Sequence, residues 1–457
     1  VSAISASGPR CNGRRTKNPT ASAVWSVKVL PTRKTTATAV GRIGAFYLRT
    51  AFTLELRYIR NMIVLEFKLA GAGSQRAVLD DAIRATQFIR NKCVRKWRDE
   101  RGVKPYDLNR YCALLAKEFD FVGKLNSQAR QAAAERAAAA ITRFYKNCRE
   151  KTPGRKGYPQ FQKDCRSIEY KQTGWKLNDV RRAITFTDGF KAGTFRLRGT
   201  RELLGYALDQ IKRVRVVKRA DGYYGQFCID AERRVSVEAT GHAVGIDLGL
   251  SHFYTDSTGA TVENPRHLRR SEQALKHLHR RVSSKAKGSR NRAKARERLG
   301  RKHLKVSRQR RDFAVKAARA LVMSNDVIAY EDLKVRNMIQ NRRLAKSISD
   351  AGWRAFVSWL GYLAHVYGKV VVAVPPQYTS QECSGCGERV KKTLSERTHV
   401  CPHCKAVQDR DHNAARNILA LGVRRLEETT AGHAESNAWG QSALYLSDAS
   451  PVDTAAG

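Results

Sequence analysis

Over the first sixty residues the apolar positions follow neither the helical period of 3.6 nor the strand period of 2. Residues 1–61 carry eleven Lys and Arg against one acid, Glu55, among Ser, Thr and Ala clusters. The stretch is Arg-rich and acid-poor like a transit peptide, yet the first methionine is Met62, so it is read as a disordered or over-long N-terminal extension. A strand-like run, Met62 to Leu69, opens the patterned chain. From Ser74 to Trp97, Val78, Ala82, Ile83, Ala85, Phe88, Ile89 and Val94 recur at helical spacing, and the Ala-rich segment Asn126 to Tyr145 predicts a second long helix. These give a helical lobe over 74–150.

Pro153, Gly154, Gly157 and Pro159 then break the helical pattern. Short, β-rich, turn-punctuated segments follow: Ser167 to Lys171, Ile184 to Phe186, Thr194 to Leu197, Val214 to Lys218 and Gly222 to Ile229. With the run from Met62 they predict a small β-barrel over 62–73 and 151–240, interrupted by the helical lobe. A further domain over 241–376 and 406–425 opens on the strand Val244 to Asp247, followed by His252 to Asp256. Its later elements are the strand Val327 to Glu331, an amphipathic helix Gly352 to Tyr367, the strand Lys369 to Val374 and a last helix, His412 to Leu421. Beyond Arg425 there are five acids and no Lys or Arg, so 426–457 is read as a disordered acidic tail. The fold class is therefore multidomain, α+β followed by α/β.

Charge changes this picture. In 457 residues, 86 Lys and Arg stand against 41 Asp and Glu, a surplus of 45, while 42% of residues are apolar. The apolar share supports buried cores, and the surplus excludes an ordinary metabolic enzyme and calls for a polyanionic partner, with nucleic acid first. No apolar run approaches the ~18 residues of a membrane span. The basic residues concentrate in 266–311, where nineteen face only Glu272 and Glu297, while Leu268, Leu275, Leu278 and Val282 keep one apolar stripe. This predicts a helical hairpin turning at Lys287 to Arg290. Arg269, Arg270, Arg280, Arg281, Arg290 and Arg292 are its candidate phosphate contacts. Tyr158 and Phe161, set among Arg155, Lys156 and Lys163, are candidates for stacking on bases, with a core role the equal alternative.

Two constellations carry chemistry. Cys383-x2-Cys386-x14-Cys401-x2-Cys404 has the spacing of two thiolate knuckles closing one tetrahedral zinc site over 377–405. Four sulfurs leave no open position, so such an ion folds the ribbon and does not catalyse. Cys11, Cys93, Cys112, Cys148, Cys165 and Cys228 stand alone and read as small buried hydrophobes of a reducing compartment. His399 and His403 lie near the cysteines, but surface roles facing solvent or phosphate are favoured for them. The second constellation is Asp247 and Glu331 at strand ends and Asp411 at a helix start. Each alone reads as a capping or edge carboxylate. Together in so basic a chain they suit Mg2+ held against phosphate, two ions roughly 3.5–4 Å apart serving in-line phosphodiester hydrolysis. Asp332 and Asp409 are the rival positions.

The order Gly245-Ile-Asp-Leu-Gly249, Tyr330-Glu-Asp-Leu333, Gln377-Tyr-Thr-Ser-Gln-Glu-Cys-Ser-Gly-Cys-Gly387 and Asp409-Arg-Asp-His-Asn-Ala-Ala-Arg-Asn417 resembles the TnpB family of transposon-encoded RNA-guided nucleases, relatives of the type V CRISPR effectors. The resemblance is strongest from about 240 to 421. It implies a RuvC-like RNase H fold with an inserted zinc ribbon, a wedge-like β-barrel carrying a helical recognition lobe, and Asp247, Glu331 and Asp411 as the catalytic, Mg2+-binding acids. It further implies double-stranded DNA cut beside a short adjacent motif, a guide RNA from the transposon end, and a prokaryotic cytoplasmic setting, on the nucleoid when DNA is bound. Monomer and homodimer stay open. Two other readings remain: a strand-joining transposase using the same acids, and a non-cutting zinc-ribbon nucleic-acid-binding regulator in which they are structural.

Overall fold

The computed structural model describes residues 62–393 and 396–431. The extension over 1–61 and the tail from 432 lie outside the described residues. Strand β1 (Met62–Ala70) buries Ile63, Leu65, Phe67 and Leu69 and turns the intervening positions outward, the two-residue period of a one-faced sheet. The chain then makes α1 (Gly73–Asp99), α2 (Pro105–Glu118), the single turn α3 (Asp120–Gly123) and α4 (Ser127–Arg149) before returning to β2 (Ser167–Tyr170), β3 (Trp175–Leu177), β4 (Ala183–Phe186), β5 (Gly193–Arg198), β6 (Ile211–Arg219) and β7 (Gly222–Asp230). Helix α2 had not been anticipated as a separate element; Pro105 opens it, and Asp107 accepts the Lys104 backbone N–H at 2.8 Å.

The seven strands run in the order β2-β6-β7-β1-β5-β4-β3, with β1 central between β7 and β5. Edge strands β2 and β3 do not pair with each other, so the sheet is an open half-barrel where a closed barrel was expected. Its inner face shares one core with α1 and α4, whose Ala133, Ala134 and Ala137 are small enough to admit close packing. Glu169 on β2 fastens α4 to this sheet: it is buried and accepts from Arg136, Arg213 and Arg215 at 2.7–3.4 Å. Burial alone raises its carboxyl, but the three guanidiniums hold it down at about 2.

The second sheet contains β8 (Ala243–Leu248), β9 (His252–Asp256) and β10 (Thr261–Glu263). Helices α5 (His267–Ser283) and α6 (Arg290–Ser324) lead to β11 (Val327–Glu331). The short helices α7 (Val335–Met338) and α8 (Ala345–Ala351), then α9 (Trp353–Tyr367), lead to β12 (Val370–Val374). The hairpin β13 (Thr398–Val400) and β14 (Val407–Asp409) precedes α10 (Arg410–Ala431). The sheet order is β10-β9-β8-β11-β12, with β8, β11 and β12 parallel. Asp326, in a buried ion pair with Lys369 at 2.5 Å, also accepts the backbone N–H groups of Thr240 and Gly241, tying the connecting chain to the sheet. Helix α6 runs past the expected end of the basic hairpin at 311, because Ala314, Ala317, Leu321 and Val322 continue its buried stripe. The expected disordered tail from 426 is corrected likewise: α10 continues through Ala431, and Leu426 packs on the core beneath it.

The two faces of this sheet divide by strand alternation. Val244, Ile246 and Ile328 face the core made with α6 and α9, while Ala329, Val372 and Val374 face Ile418 of α10. Helix α10 lies directly on the strands. A Cβ on Gly245 would stand 2.2 Å from the Ala415 carbonyl oxygen and 2.6 Å from the Leu419 nitrogen, and one on Gly422 would stand 2.5 Å from Ala329 Cβ. Gly245→Ala is therefore expected to lower unfolding stability by about 3 kcal/mol, since backbone and not a mobile side chain must yield. A fall in the urea midpoint of the full chain checks this; an unchanged midpoint shows that α10 can slide.

Candidate active site and metal centre

Residues two apart on a strand share a face, as do residues four apart on a helix. Gly245 lies against Ala415, so Asp247, two residues beyond Gly245, and Asp411, one turn before Ala415, meet at the same end of the sheet. Tyr330 pairs with Ile246 in the parallel register, which sets Glu331 beside Asp247 on the face that α10 covers. Burial, then the carboxylates of Glu331 and Asp411, push the Asp247 carboxyl well above its ordinary range; the Arg410 guanidinium opposes them. Burial also raises Glu331, against the hydroxyl of buried Thr379, which donates to Glu331 Oε1. Asp247 thus lies close enough to Glu331 and Asp411 for their charges to disfavour its own, at the place where strands end and a helix begins.

Asp411 is held from the protein side. Arg410 donates to its Oδ1 from Nε and Nη2, both at 3.1 Å, and Arg397 lies 3.5 Å from its Oδ2 while also reaching Ser251 Oγ at 3.3 Å. The rivals separate by role. Asp409 accepts the backbone N–H groups of Asp411 and His412 at 2.8 and 3.1 Å, the work of a helix cap. Asp332 is exposed, and its backbone N–H continues the ladder to Val374.

Between β12 and α10 the four cysteine sulfurs all lie within 4.8 Å of one another, with Cys383–Cys404 at 3.5 Å and Cys386–Cys401 at 3.6 Å. A zinc ion about 2.3 Å from each of four sulfurs needs edges of about 3.8 Å, so the set fits. Both knuckles use one backbone device: Gly387 and Lys405 adopt φ of 81° and 61° and donate to the carbonyls of Cys383 and Cys401 at 2.8 and 3.0 Å. The backbone N–H of Cys404, aimed at Cys401 sulfur, helps hold that thiol down at about 6, predisposing it to the thiolate. The histidines fall outside the sulfur set. His403 is exposed, whereas His399, expected at the surface, is fully buried on β13 against Lys392.

Among the predicted phosphate contacts, Arg269, Arg270, Arg280, Arg281 and Arg290 are exposed on α5 and at the start of α6. Arg292 is half-buried and donates to the Lys285 carbonyl at 2.7 Å, bracing the turn. Tyr158 and Phe161 lie far from the acids in sequence, in the loop after α4, which packs against α1; Tyr158 lies 5.4 Å from Trp97, and Arg98 sits over both rings at 5.1 and 4.3 Å. They remain 48% and 39% exposed, so neither is a core residue. Sequence reasoning missed Thr379, Arg397, Asn413 and Asn417. The two asparagines alone gave a signal, as amides one turn apart inside a helix that disfavours them.

Comparison with known proteins bears on this arrangement. The family model described as "Probable transposase" matches residues 226–342, and "Cas12f1-like, TNB domain" matches residues 353–418. A protein of Streptomyces pristinaespiralis named "Putative RNA-guided DNA endonuclease" is 45% identical over 187 residues, 40% of this chain and 46% of that protein, so the match spans less than half of the relative. One of Escherichia coli (strain K12), "Putative RNA-guided DNA endonuclease InsQ", is 28% identical over 388 residues, 80% of this chain and 93% of that protein. The chain is a TnpB-like protein. The fold of the TnpB-like chain also matches a solved structure, "Structure of the mini-RNA-guided endonuclease CRISPR-Cas_phi3", with TM-score 0.51 and 10% identity over 85% of this chain and 97% of that one. Among the described residues no helix is long and apolar enough to cross a membrane.

The sulfur geometry carries its own test. The purified TnpB-like protein is expected to hold about one tetrahedral cation per chain, and Cys401→Ser to lose it. Elemental analysis reads both; full metal retention in the variant places the ion elsewhere.

Proposed function

We propose that this chain is an RNA-guided, Mg2+-dependent DNA endonuclease of a transposon, cleaving double-stranded DNA beside a short adjacent motif. The observation that carries the reading is the convergence of Asp247, Glu331 and Asp411 at one end of the second sheet, with Asp247 burdened by both other acids. In this reading residues 241–376 and 406–425 are a RuvC-like RNase H domain, 377–405 its zinc ribbon, 62–73 and 151–240 a wedge, and 74–150 a recognition lobe. Two magnesium ions, when bound, supply an activated water and stabilise the leaving 3′ oxygen. The protein's part is to hold the three carboxylates against their mutual repulsion, with Asp247 and Glu331 fixed on adjacent parallel strands and Asp411 on the first turn of α10. Arg397 and Arg410 partly neutralise Asp411 and add positive charge beside the acids, where a phosphodiester is attracted.

The exposed arginines of α5 and α6 serve a guide–target heteroduplex or a displaced strand, contacts that need charge and not base reading. Tyr158 and Phe161 offer their outer surfaces to unpaired bases. The guide is an RNA from the transposon end, and the setting is the cytoplasm of a prokaryote.

Asp247→Ala and Glu331→Ala are each expected to reduce cleavage by on the order of 10³-fold, the equivalent of several kcal/mol of metal assistance, while retaining DNA binding in a gel-shift assay. Cleavage at the native level in either variant returns the acids to a structural role and favours the regulator. Sequencing the RNA that copurifies from cells carrying the native locus tests the guide: a discrete species from the transposon end supports it, and random cellular RNA opposes it. Replacing Arg269, Arg270, Arg280 and Arg281 with Ala is expected to shallow the salt dependence of nucleic-acid affinity, by about 0.9 in log–log slope for each phosphate contact removed. Anisotropy titrations across a salt series measure it, and an unchanged slope removes the hairpin from the interface.

A further inference from the structure

The cysteine knuckles and the acids are connected by a set of hydrogen bonds that metal binding alone does not require. Thr379 is 3% exposed, and its hydroxyl donates to Oε1 of Glu331. Its carbonyl accepts the Asn417 amide at 2.8 Å, and the same amide donates to the Glu382 carbonyl at 2.7 Å. One turn earlier on α10, fully buried Asn413 donates to that Glu382 carbonyl at 2.7 Å. Its oxygen accepts the Ser384 backbone N–H at 2.9 Å and the Gln408 side chain at 2.6 Å. Glu382 and Ser384 flank Cys383, the first sulfur of the metal centre. Tyr378, at φ 65°, closes the segment: its carbonyl accepts the N–H groups of Gln381 and Glu382 at 2.8 and 2.9 Å.

The chemistry of these contacts is directional. An Asn side chain offers both donors and an acceptor, which is what a bare turn with an unpaired carbonyl and an unpaired N–H requires; an apolar residue there would leave buried backbone groups without partners. Threonine adds one donor to a carboxylate whose second oxygen is left for another ligand. Ligating carboxylates are oriented by such outer hydrogen bonds.

We propose that Thr379 is a positioning residue for Glu331, and that Asn413 and Asn417 lock it to the first cysteine knuckle, so that the sulfur-bound metal sets the geometry of the divalent-cation site. The inference rests on the nuclease reading. It gives the ribbon a second task inside the active centre, separate from any contact with nucleic acid.

The test uses Mn2+ as the probe, titrated by electron paramagnetic resonance into the full-length, zinc-loaded protein without nucleic acid. The native chain is expected to bind Mn2+ that Asp247→Ala removes. Thr379→Val is expected to raise the Kd for Mn2+ about tenfold or more, and Thr379→Ser to restore it. Asn417→Ala is expected to weaken Mn2+ comparably while zinc content stays near native. At saturating Mg2+, Thr379→Val should lower kcat and leave KM for DNA unchanged. Native Mn2+ affinity in Thr379→Val, or no rescue by serine, overturns the positioning role while leaving the nuclease reading intact. Loss of zinc from Asn417→Ala overturns the relay by reducing the amides to ribbon anchors. Absence of any Mn2+ that depends on Asp247 overturns the nuclease reading and the relay together.

Discussion

The backbone of α10 rests on β8 with no side chain between them where Gly245 meets Ala415, and on β11 with only the Ala329 methyl between them at Gly422. Such contact fixes the helix in both translation and rotation, because a close-packed backbone surface has few alternative seatings. Asp411 then has one place to be, beside the ends of two parallel strands. A helix held by long side chains could tilt to relieve repulsion among three carboxylates; one seated on glycine cannot do so without losing contacts along its length. Burial first, and then the nearby Glu331 and Asp411 carboxylates, raise the Asp247 carboxyl in the position this seating gives it.

The surplus of 45 positive charges divides into two populations with different work. One joins elements within the chain. Arg136, Arg213 and Arg215 close on Glu169, Arg308 reaches Asp221 at 2.8 Å between α6 and the half-barrel, and Lys369 buries itself on Asp326. Each such pair removes charge from the outer field and gives a specific contact between elements. The other population lies outward on α5 and the start of α6, where almost no acid offsets it. Neighbouring cations on an exposed helix weaken it, so this face is tolerated because an apolar stripe, with Leu275 buried, holds α5 to α6.

Where one short pattern determined an element, the sequence could be read directly. The strand ending in Asp247, the strand ending in Glu331 and the paired cysteines all belong to this class, since alternation or local spacing suffices. Tertiary contacts governed what could not be read. Whether seven strands close depends on their edges and not on any residue's preference, so the open half-barrel gave no signal. Helix α2 is short and its buried set is only Leu108, Cys112 and Leu115. The extension of α10 past Arg425 follows from Leu426 reaching the core, which outweighs an acidic composition that reads as unfolded. Arg397 and Thr379 matter through partners 14 and 48 residues away. Single-residue reading has no access to such pairings.

The four-cysteine module occupies a particular place in the chain. It is inserted between β12, which pairs with the strand of Glu331, and α10, whose first turn carries Asp411. Two of the three acids are thus flanked by a module whose core is a cluster of sulfurs, while Asp247 belongs to the sheet alone. Arg397 approaches Asp411 from one side of that module and Thr379 approaches Glu331 from the other. A small module without an apolar core of useful size takes its order from its bound ion. A metal held by the sulfurs would therefore restrict the segments that touch Glu331 and Asp411, whereas Asp247 is placed by β-pairing and the seat of α10 with or without it. The centre is built from one acid set by the fold and two whose surroundings the inserted four-cysteine module completes.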